Sequence, residues 1–171
     1  DLYMRLNPAT AVTLPSLRKR RDDFQRLLGF FMTRVASTGF NRDLVGQYVR
    51  QRRLAIDVDA ASLPVSVGSK LPGRRDDSRL HFLLHPSSFK RLRNYEWPGS
   101  FRQFEMVLSN LLTFTLVDLV ERAEAVEPSA DEGLASRPDV IPIAARTVSE
   151  LLQPLGLEGP DAGSEGEQED G

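Results

Sequence analysis

A tight turn that leads straight into a long apolar segment constrains this chain more than any other feature. From residue 97 the chain reads Trp-Pro-Gly-Ser-Phe-Arg-Gln-Phe-Glu. Pro98 fixes φ and Gly99 tolerates the turn. Ser100 can cap a helix, with Gln103 at the place of a capping-box partner. The pattern predicts a helix from Ser100 to about residue 123, apolar on most faces and therefore central to the core.

Arg102 falls in the first turn of this predicted helix. A cation there gains nothing from the helix dipole, which favours anions at that end. An anionic partner explains an arginine at this place, and phosphate is the obvious candidate. The alternative is a surface arginine paired with Glu105 or Glu96, which contributes little to stability.

Charge is divided unevenly along the chain. Residues 1–120 carry 19 basic and 11 acidic side chains, a net charge of +8, whereas residues 121–171 carry 3 and 13, a net charge of −10. A basic body followed by an acidic tail indicates either screening of the body by the tail or an anionic partner for the body.

Several classes of site are excluded by composition. The chain has no cysteine, which excludes disulfides and thiolate metal sites and is consistent with the cytoplasm. Two histidines, His81 and His85, cannot form a metal site alone, so no metal site is predicted; they are expected to be surface or capping residues. No apolar run approaches membrane-spanning length, so no membrane association is predicted.

Periodicity and turn residues divide the chain into predicted elements. Apolar spacing predicts a first helix over residues 22–37, which starts with Asp22 and Asp23, and Asn41 is the predicted cap of a second. Pro86 opens a predicted helix over residues 86–94, and a short helix is predicted over 143–153. Strands are predicted over residues 11–14 and 54–58, and an irregular stretch rich in Pro and Gly over 52–79. A linker is predicted over residues 127–138 and a disordered end over 158–171.

Three blocks of the sequence resemble one family. The chain opens Asp-Leu-Tyr-Met-Arg-Leu-Asn, continues from residue 14 as Leu-Pro-Ser-Leu-Arg-Lys-Arg-Arg-Asp-Asp-Phe, and then has the Trp-Pro-Gly turn. In this order they resemble the signatures of sigma-54-dependent transcription activators, the bacterial enhancer-binding AAA+ ATPases. The resemblance covers about residues 1–122. Ser100 and Gln103-Phe104 depart from the Asn and Glu-Leu of the family pattern.

The resemblance implies a mainly α fold. Residues 1–15 would be the end of an α/β ATPase core, and residues 16–123 a small helical bundle, the AAA+ lid, with an insertion at about 52–79. Residues 124–171 would be a linker and acidic tail, largely disordered. Because the chain begins with Asp inside a family motif, we expect it to be the C-terminal part of a longer protein.

The resemblance also implies roles for particular arginines. Arg102 would be the sensor II residue, which reaches from the lid toward nucleotide phosphates. Arg5 would be a candidate arginine finger, with a structural ion pair as its alternative. Arg18 and Arg20 belong to a basic cluster near bound nucleotide in the family; a solvated or internally paired cluster is the alternative. Trp97 is expected to pack rather than bind.

The expected function follows from the same family. The longer protein would bind ATP with magnesium, self-associate into a ring and remodel the sigma-54 RNA polymerase holoenzyme. This segment has no phosphate loop, so we expect it to bind no cofactor and to catalyse nothing alone. No DNA-binding domain is expected in residues 127–171. Two alternatives remain: a degenerate, non-catalytic helical adaptor or oligomerisation module, and direct nucleic-acid binding by the basic body.

Overall fold

Five helices and three strands make up the parts of the chain that the computed structural model describes, which are residue 17, residues 20–125 and residues 137–153. In chain order they are α1 (Phe24–Ala36), α2 (Gly39–Arg52), β1 (Val65–Gly68), β2 (Leu80–Leu84), α3 (Pro86–Asn94), α4 (Ser100–Ala125), β3 (Val140–Ile143) and α5 (Ala145–Leu152). The fold is therefore mostly helical, as predicted, with a small sheet that the sequence did not predict.

Helix α4 is the centre of the helical part of the fold. It packs against α1, α2 and α5, and its apolar face is buried at Phe104, Val107, Leu108, Leu111, Leu112 and Leu116. Helix α1 contributes Phe24, Leu28, Phe31, Met32 and Val35 to the same core. The helices predicted from apolar spacing in these two segments are confirmed, as are those that became α3 and α5.

The predicted cap of α2 was wrong. The helix begins at Gly39, and Asn41 lies inside it with a buried side chain. The Asn41 amide donates to the Ser109 hydroxyl at 2.9 Å and accepts from the Thr113 hydroxyl at 2.7 Å. A buried amide requires hydrogen-bond partners. Asn41 finds them on α4 rather than on the backbone of its own helix.

The three strands form a parallel sheet in the order β1-β2-β3. One face of the sheet is buried against the helices through Val67, Leu80, Phe82, Leu84, Ile141 and Ile143. Strand β1 lies inside the segment predicted to be irregular, and β3 follows the predicted linker. At four or five residues each, the strands are too short for an alternating pattern to stand out.

The strand predicted over residues 54–58 was also wrong. Leu54 and Ile56 are buried, but this stretch has no regular structure. The guanidinium of Arg42 donates to the carbonyl oxygens of Val58 and Ala60, at 2.8 and 2.9 Å. These bonds hold the end of the stretch in a turn. The other predicted strand, at 11–14, and the predicted disordered end lie outside the described residues.

An ion pair at the start of β3 joins distant parts of the chain. The guanidinium of Arg137 donates to both carboxylate oxygens of Asp139 at 3.0 Å, and Asp139 is 2% exposed. Arg137 also donates to the carbonyl oxygens of Pro72 and Arg74, and Asp139 accepts from the Asp76 amide. We call this set of contacts the Arg137–Asp139 clamp. It fastens the loop between β1 and β2 to β3.

By length and composition alone, the α4 segment Ser100–Arg122 is apolar enough to cross a membrane, so the sequence argument on this point was wrong. The central helix of a folded protein passes the same test. Here the segment packs on other helices, and charged side chains such as Arg102, Asp118 and Glu121 lie exposed along it.

Candidate functional site

The turn before α4 is held in an unusual backbone conformation. Trp97 and Ser100 both have positive φ, at 49° and 51°, which is uncommon for residues other than glycine. The Ser100 amide donates to the Trp97 carbonyl oxygen at 2.7 Å and closes the turn. The Trp97 indole is buried, and its Nε1 donates to the Leu92 carbonyl oxygen at 2.9 Å. These contacts fix the start of α4 relative to the end of α3.

The predicted capping box is only partly present. The Gln103 side chain accepts a hydrogen bond from the Gly99 amide at 3.0 Å, so Gln103 does reach back over the first turn. No hydrogen bond of the Ser100 hydroxyl is found within the described residues. A Cβ at residue 99 would lie 2.7 Å from the Cβ of Gln103, so this turn requires glycine.

Arg102 is exposed in the first turn of α4, and its side chain has no ion pair or hydrogen bond with any described residue. The two acids expected to pair with it have other partners. Glu105 contacts Arg34 on α1, with 3.0 Å between Nε and Oε1, and Glu96 lies 3.8 Å from Arg21. The pairing expected of an ordinary surface arginine is therefore absent from this part of the molecule.

Seven aromatic rings hold this turn against the rest of the helices. Trp97 packs edge-on to Phe104 with 4.8 Å between ring centroids, and Phe104 contacts Phe24 and Phe31 of α1. The cluster, which we call the aromatic cluster, comprises Phe24, Phe31, Phe89, Tyr95, Trp97, Phe101 and Phe104. It joins α1, α3 and α4, and the prediction that Trp97 packs is confirmed.

Of the four arginines predicted as site residues, the structure describes Arg102 and Arg20. Arg20 is half-buried in the turn before α1, where its amide donates to the Leu17 carbonyl oxygen at 3.0 Å. Because Phe24 and Phe104 are in contact, the segments that carry Arg20 and Arg102 border the same aromatic cluster. Arg5 and Arg18 lie outside the described residues.

The two carboxylates at the start of α1, those of Asp22 and Asp23, lie where the turn before α1 meets the end of α3. Asp23 is the N-cap residue, although its side chain makes no capping hydrogen bond, and Asp22 lies 4.0 Å from Arg93 of α3. Arg93 also donates to the Arg21 carbonyl oxygen at 3.2 Å. These contacts link the end of α3 to the turn before α1, beside the aromatic cluster.

The two histidines differ. His85 is the N-cap of α3 and accepts from the Ser87 amide at 3.3 Å, which confirms its predicted capping role. His81 is half-buried in β2, with its Nδ1 2.9 Å from the Ser66 hydroxyl and its Nε2 buried without a partner among the described residues. Burial lowers the pKa of His81 below its usual value, despite nearby groups that favour the charged form.

Comparison with known proteins gives one informative match. Over 127 residues, 74% of this chain, the sequence is 28% identical to a putative uric acid sigma-54-dependent transcriptional regulator, UacR, of Escherichia coli (strain K12). The chain covers 14% of the length of that protein. No family model matches the sequence, and no solved structure matches the fold significantly. The similarity supports the sigma-54-dependent regulators as the family and transcription regulation as the role.

Proposed function

We propose that this chain is the lid portion of a cytoplasmic, sigma-54-interacting AAA+ ATPase, which regulates transcription by ATP-driven remodelling of sigma-54 RNA polymerase. The observation that carries the proposal is the exposed side chain of Arg102 in the first turn of α4, which has no ion pair with a described residue. The similarity to a sigma-54-dependent regulator over most of the chain supports the same assignment.

The position of Arg102 is unfavourable without an anion. The amide groups at the start of a helix repel a cation, and the two nearest acids in sequence, Glu105 and Glu96, contact other arginines. A phosphate oxygen would accept from the guanidinium and interact favourably with the helix start. Arg102 would thereby sense the nucleotide.

The described residues fit one phosphate contact rather than a complete nucleotide site. Arg102 supplies an exposed guanidinium, and the half-buried Arg20 precedes Phe24 of the aromatic cluster in the chain. ATP and its magnesium ion would be held mainly by other parts of a longer protein. Arg18 would add charge near the nucleotide, and Arg5 would act toward a neighbouring subunit of a ring.

The aromatic cluster would couple this contact to movement. Trp97 and Phe104 are buried at the base of the turn, and Phe104 reaches α1. Interiors packed in this way shift as units rather than deform continuously. A change in the phosphate that Arg102 contacts would therefore move α1, α3 and α4 together.

Substitution of Arg102 by alanine in the complete protein that contains this segment tests the proposal. Arg102 makes no described contact, so Arg102→Ala should leave the melting temperature unchanged while the ATPase rate falls about tenfold or more, as when one charge-stabilising group is removed. The matched control is Arg122→Ala, an exposed arginine near the far end of the same helix, which should leave the ATPase rate unchanged. An unchanged rate in Arg102→Ala would exclude the sensor role.

The sheet favours a second candidate, a non-catalytic adaptor or oligomerisation module. Strands β1 and β3 add a layer beside the helices, and the edge of β1 is partly open, as described below. If the complete protein neither binds nor hydrolyses ATP but still associates with itself or a partner, the adaptor is the correct assignment. Mass photometry beside an ATPase assay separates the two.

A further inference from the structure

The edge of β1 and the outer side of α1 enclose a groove of about 550 Å³. Two hydrogen bonds hold the helix along the strand. The Gln25 side chain donates to the Val67 carbonyl oxygen at 2.8 Å, and the Leu63 amide donates to the Ser37 hydroxyl at 2.9 Å. Since residue 25 is opposite residue 67 and residue 37 is opposite residue 63, α1 runs antiparallel to β1.

The pairing of β1 leaves backbone groups directed into this groove. The Leu80 amide donates to the Pro64 carbonyl oxygen, so the peptide groups of residues 64, 66 and 68 point toward β2. Those of Val65 and Val67 therefore point away from β2. The Gln25 side chain satisfies the Val67 carbonyl, whereas no described residue bonds the Val67 amide or the Val65 carbonyl, and both are available to a further strand.

The α1 side of the groove leaves room for an extended peptide and carries a regular row of side chains beside that space. Gly29 lies on the groove, and a Cβ built there meets no atom within 4 Å. Next to it, Arg26, Phe30 and Arg34 follow one another at intervals of four residues. Phe30 is 60% exposed although it is a large apolar side chain. Arg26 makes no ion pair with a described residue, and Arg34 contacts Glu105 through Nε.

We propose that this groove binds an extended acidic peptide, which adds a strand to the edge of β1. Arg26 and Arg34 are about 12 Å apart along α1, at 1.5 Å per residue. Residues four apart on a strand are about 13 Å apart and share a face. The peptide therefore carries two acids four residues apart, for the two arginines, and an apolar residue midway between them, for Phe30. This activity is separate from nucleotide sensing by Arg102.

Binding of a designed peptide to the complete chain tests the proposal. The probe is the heptapeptide Thr-Glu-Thr-Val-Thr-Glu-Thr, acetylated, amidated and labelled with fluorescein, and the control peptide has lysine in place of both glutamates. Fluorescence anisotropy should show binding of the first peptide and at least about tenfold weaker binding of the second, because like charges then meet. Absence of binding up to about 1 mM peptide would overturn the proposal.

Two substitutions locate the binding. Gly29→Leu should fill the groove and weaken peptide binding at least tenfold. Gly29→Ala is the control, since it also removes the glycine from the helix but adds only a methyl group, and it should bind the peptide far better than Gly29→Leu. Arg26→Glu should weaken peptide binding at least as much as Gly29→Leu does. Circular dichroism confirms that each variant is folded. Equal binding to Gly29→Leu and Gly29→Ala would contradict the location.

Amide hydrogen exchange gives a readout that does not depend on substitution. The peptide should slow exchange of the Val67 amide and leave that of the Ser66 amide, which already bonds β2, unchanged. If the Val67 amide instead becomes protected as the concentration of the chain alone rises, the occupant is a second copy of this chain and the peptide assignment is wrong.

Discussion

The helical half of the molecule, α1 to α5, and the sheet half, β1 to β3, share one core but differ in their polar contacts. The helical half is joined by the aromatic cluster and by leucines of α4 that are wholly buried. The sheet half buries apolar side chains in the same core, against the helices, and adds polar contacts across long sequence separations. These include the Arg137–Asp139 clamp and the bond from the Tyr48 hydroxyl to the Pro138 carbonyl oxygen at 2.9 Å.

This difference implies two modes of failure. Loss of a buried aromatic ring leaves a cavity, which affects the whole cooperative unit. Loss of a polar contact leaves an unpaired group at one place, where the residues around it can open locally while the rest of the core remains folded. The following variants test that distinction, in order of decreasing expected effect.

Phe104→Ala should have the largest effect. The ring is wholly buried and touches Phe24, Phe31 and Trp97. Its removal should lower the free energy of unfolding by about 3–5 kcal/mol, since both apolar burial and packing are lost. Urea denaturation followed by circular dichroism measures this loss, and helix and sheet signals should be lost together. A loss confined to the amides of one half would contradict the single cooperative core.

Asp139→Ala should come next and should act locally. The substitution leaves the guanidinium of Arg137 without its bidentate partner and the Asp76 amide without an acceptor. Because the Arg137 side chain is partly exposed, we expect a loss of about 2–3 kcal/mol rather than the full cost of breaking a buried pair. Hydrogen exchange should accelerate at β2 and β3 before the amides of α1 and α4 respond.

The same clamp predicts a dependence on acid. The hydrogen bonds from Arg137 hold the pKa of Asp139 below its usual range. A carboxylate whose pKa is lowered by folding contributes stability above the unfolded value of about 4, and this contribution is lost as the pH falls toward the folded value. Urea denaturation from pH 5 downward should show a smaller loss in Asp139→Ala than in the unchanged protein.

Asn41→Ala should cost about 1–2 kcal/mol, because it removes buried hydrogen bonds to Ser109 and Thr113. This residue is one of the buried polar residues of the helical half, together with Ser88 and Thr115. The loss should appear in global unfolding, since α2 and α4 belong to one core. If exchange instead accelerates only in α2, the helical half is less cooperative than its packing indicates.

His81 should have the smallest effect, visible only in its pH dependence. Burial lowers its pKa, so the unfolded chain binds a proton more readily than the folded one. Stability from this group is full above the unfolded pKa of about 6.5 and decreases as the pH falls through it. His81→Gln should reduce the change in melting temperature between pH 7 and pH 5. An unchanged slope would mean that another group titrates there.

The parts that could be predicted from the sequence are those whose signal is local. Apolar spacing placed α1 and α4, and Pro86 marked the start of α3. The sheet could not be predicted because its strands are short and its partners are distant: Leu80 pairs with Val65 on one side, and His81 with Val140 on the other. Asn41 has the residue type of a cap, and only its contacts with α4 show otherwise.

The candidate site divides in the same way. The Trp97 turn and the first-turn position of Arg102 follow from adjacent residues, so both could be predicted. That no described acid pairs with Arg102 could not be predicted, because this depends on Arg34 of α1 attracting Glu105. The groove along β1 depends on the pairing of a strand that had no clear signal, and no local pattern of residues would have indicated it.

The position of β2 in the middle of the sheet has a consequence for synthesis on the ribosome. Residues of β1 emerge before those of β2, so these two strands can pair early. Strand β3 emerges only after α3 and α4, and a large loop must close before it meets β2. Until then β2 has an unpaired edge beside newly formed helices. A nascent chain that pauses within α4 therefore exposes the strand most prone to wrong pairing.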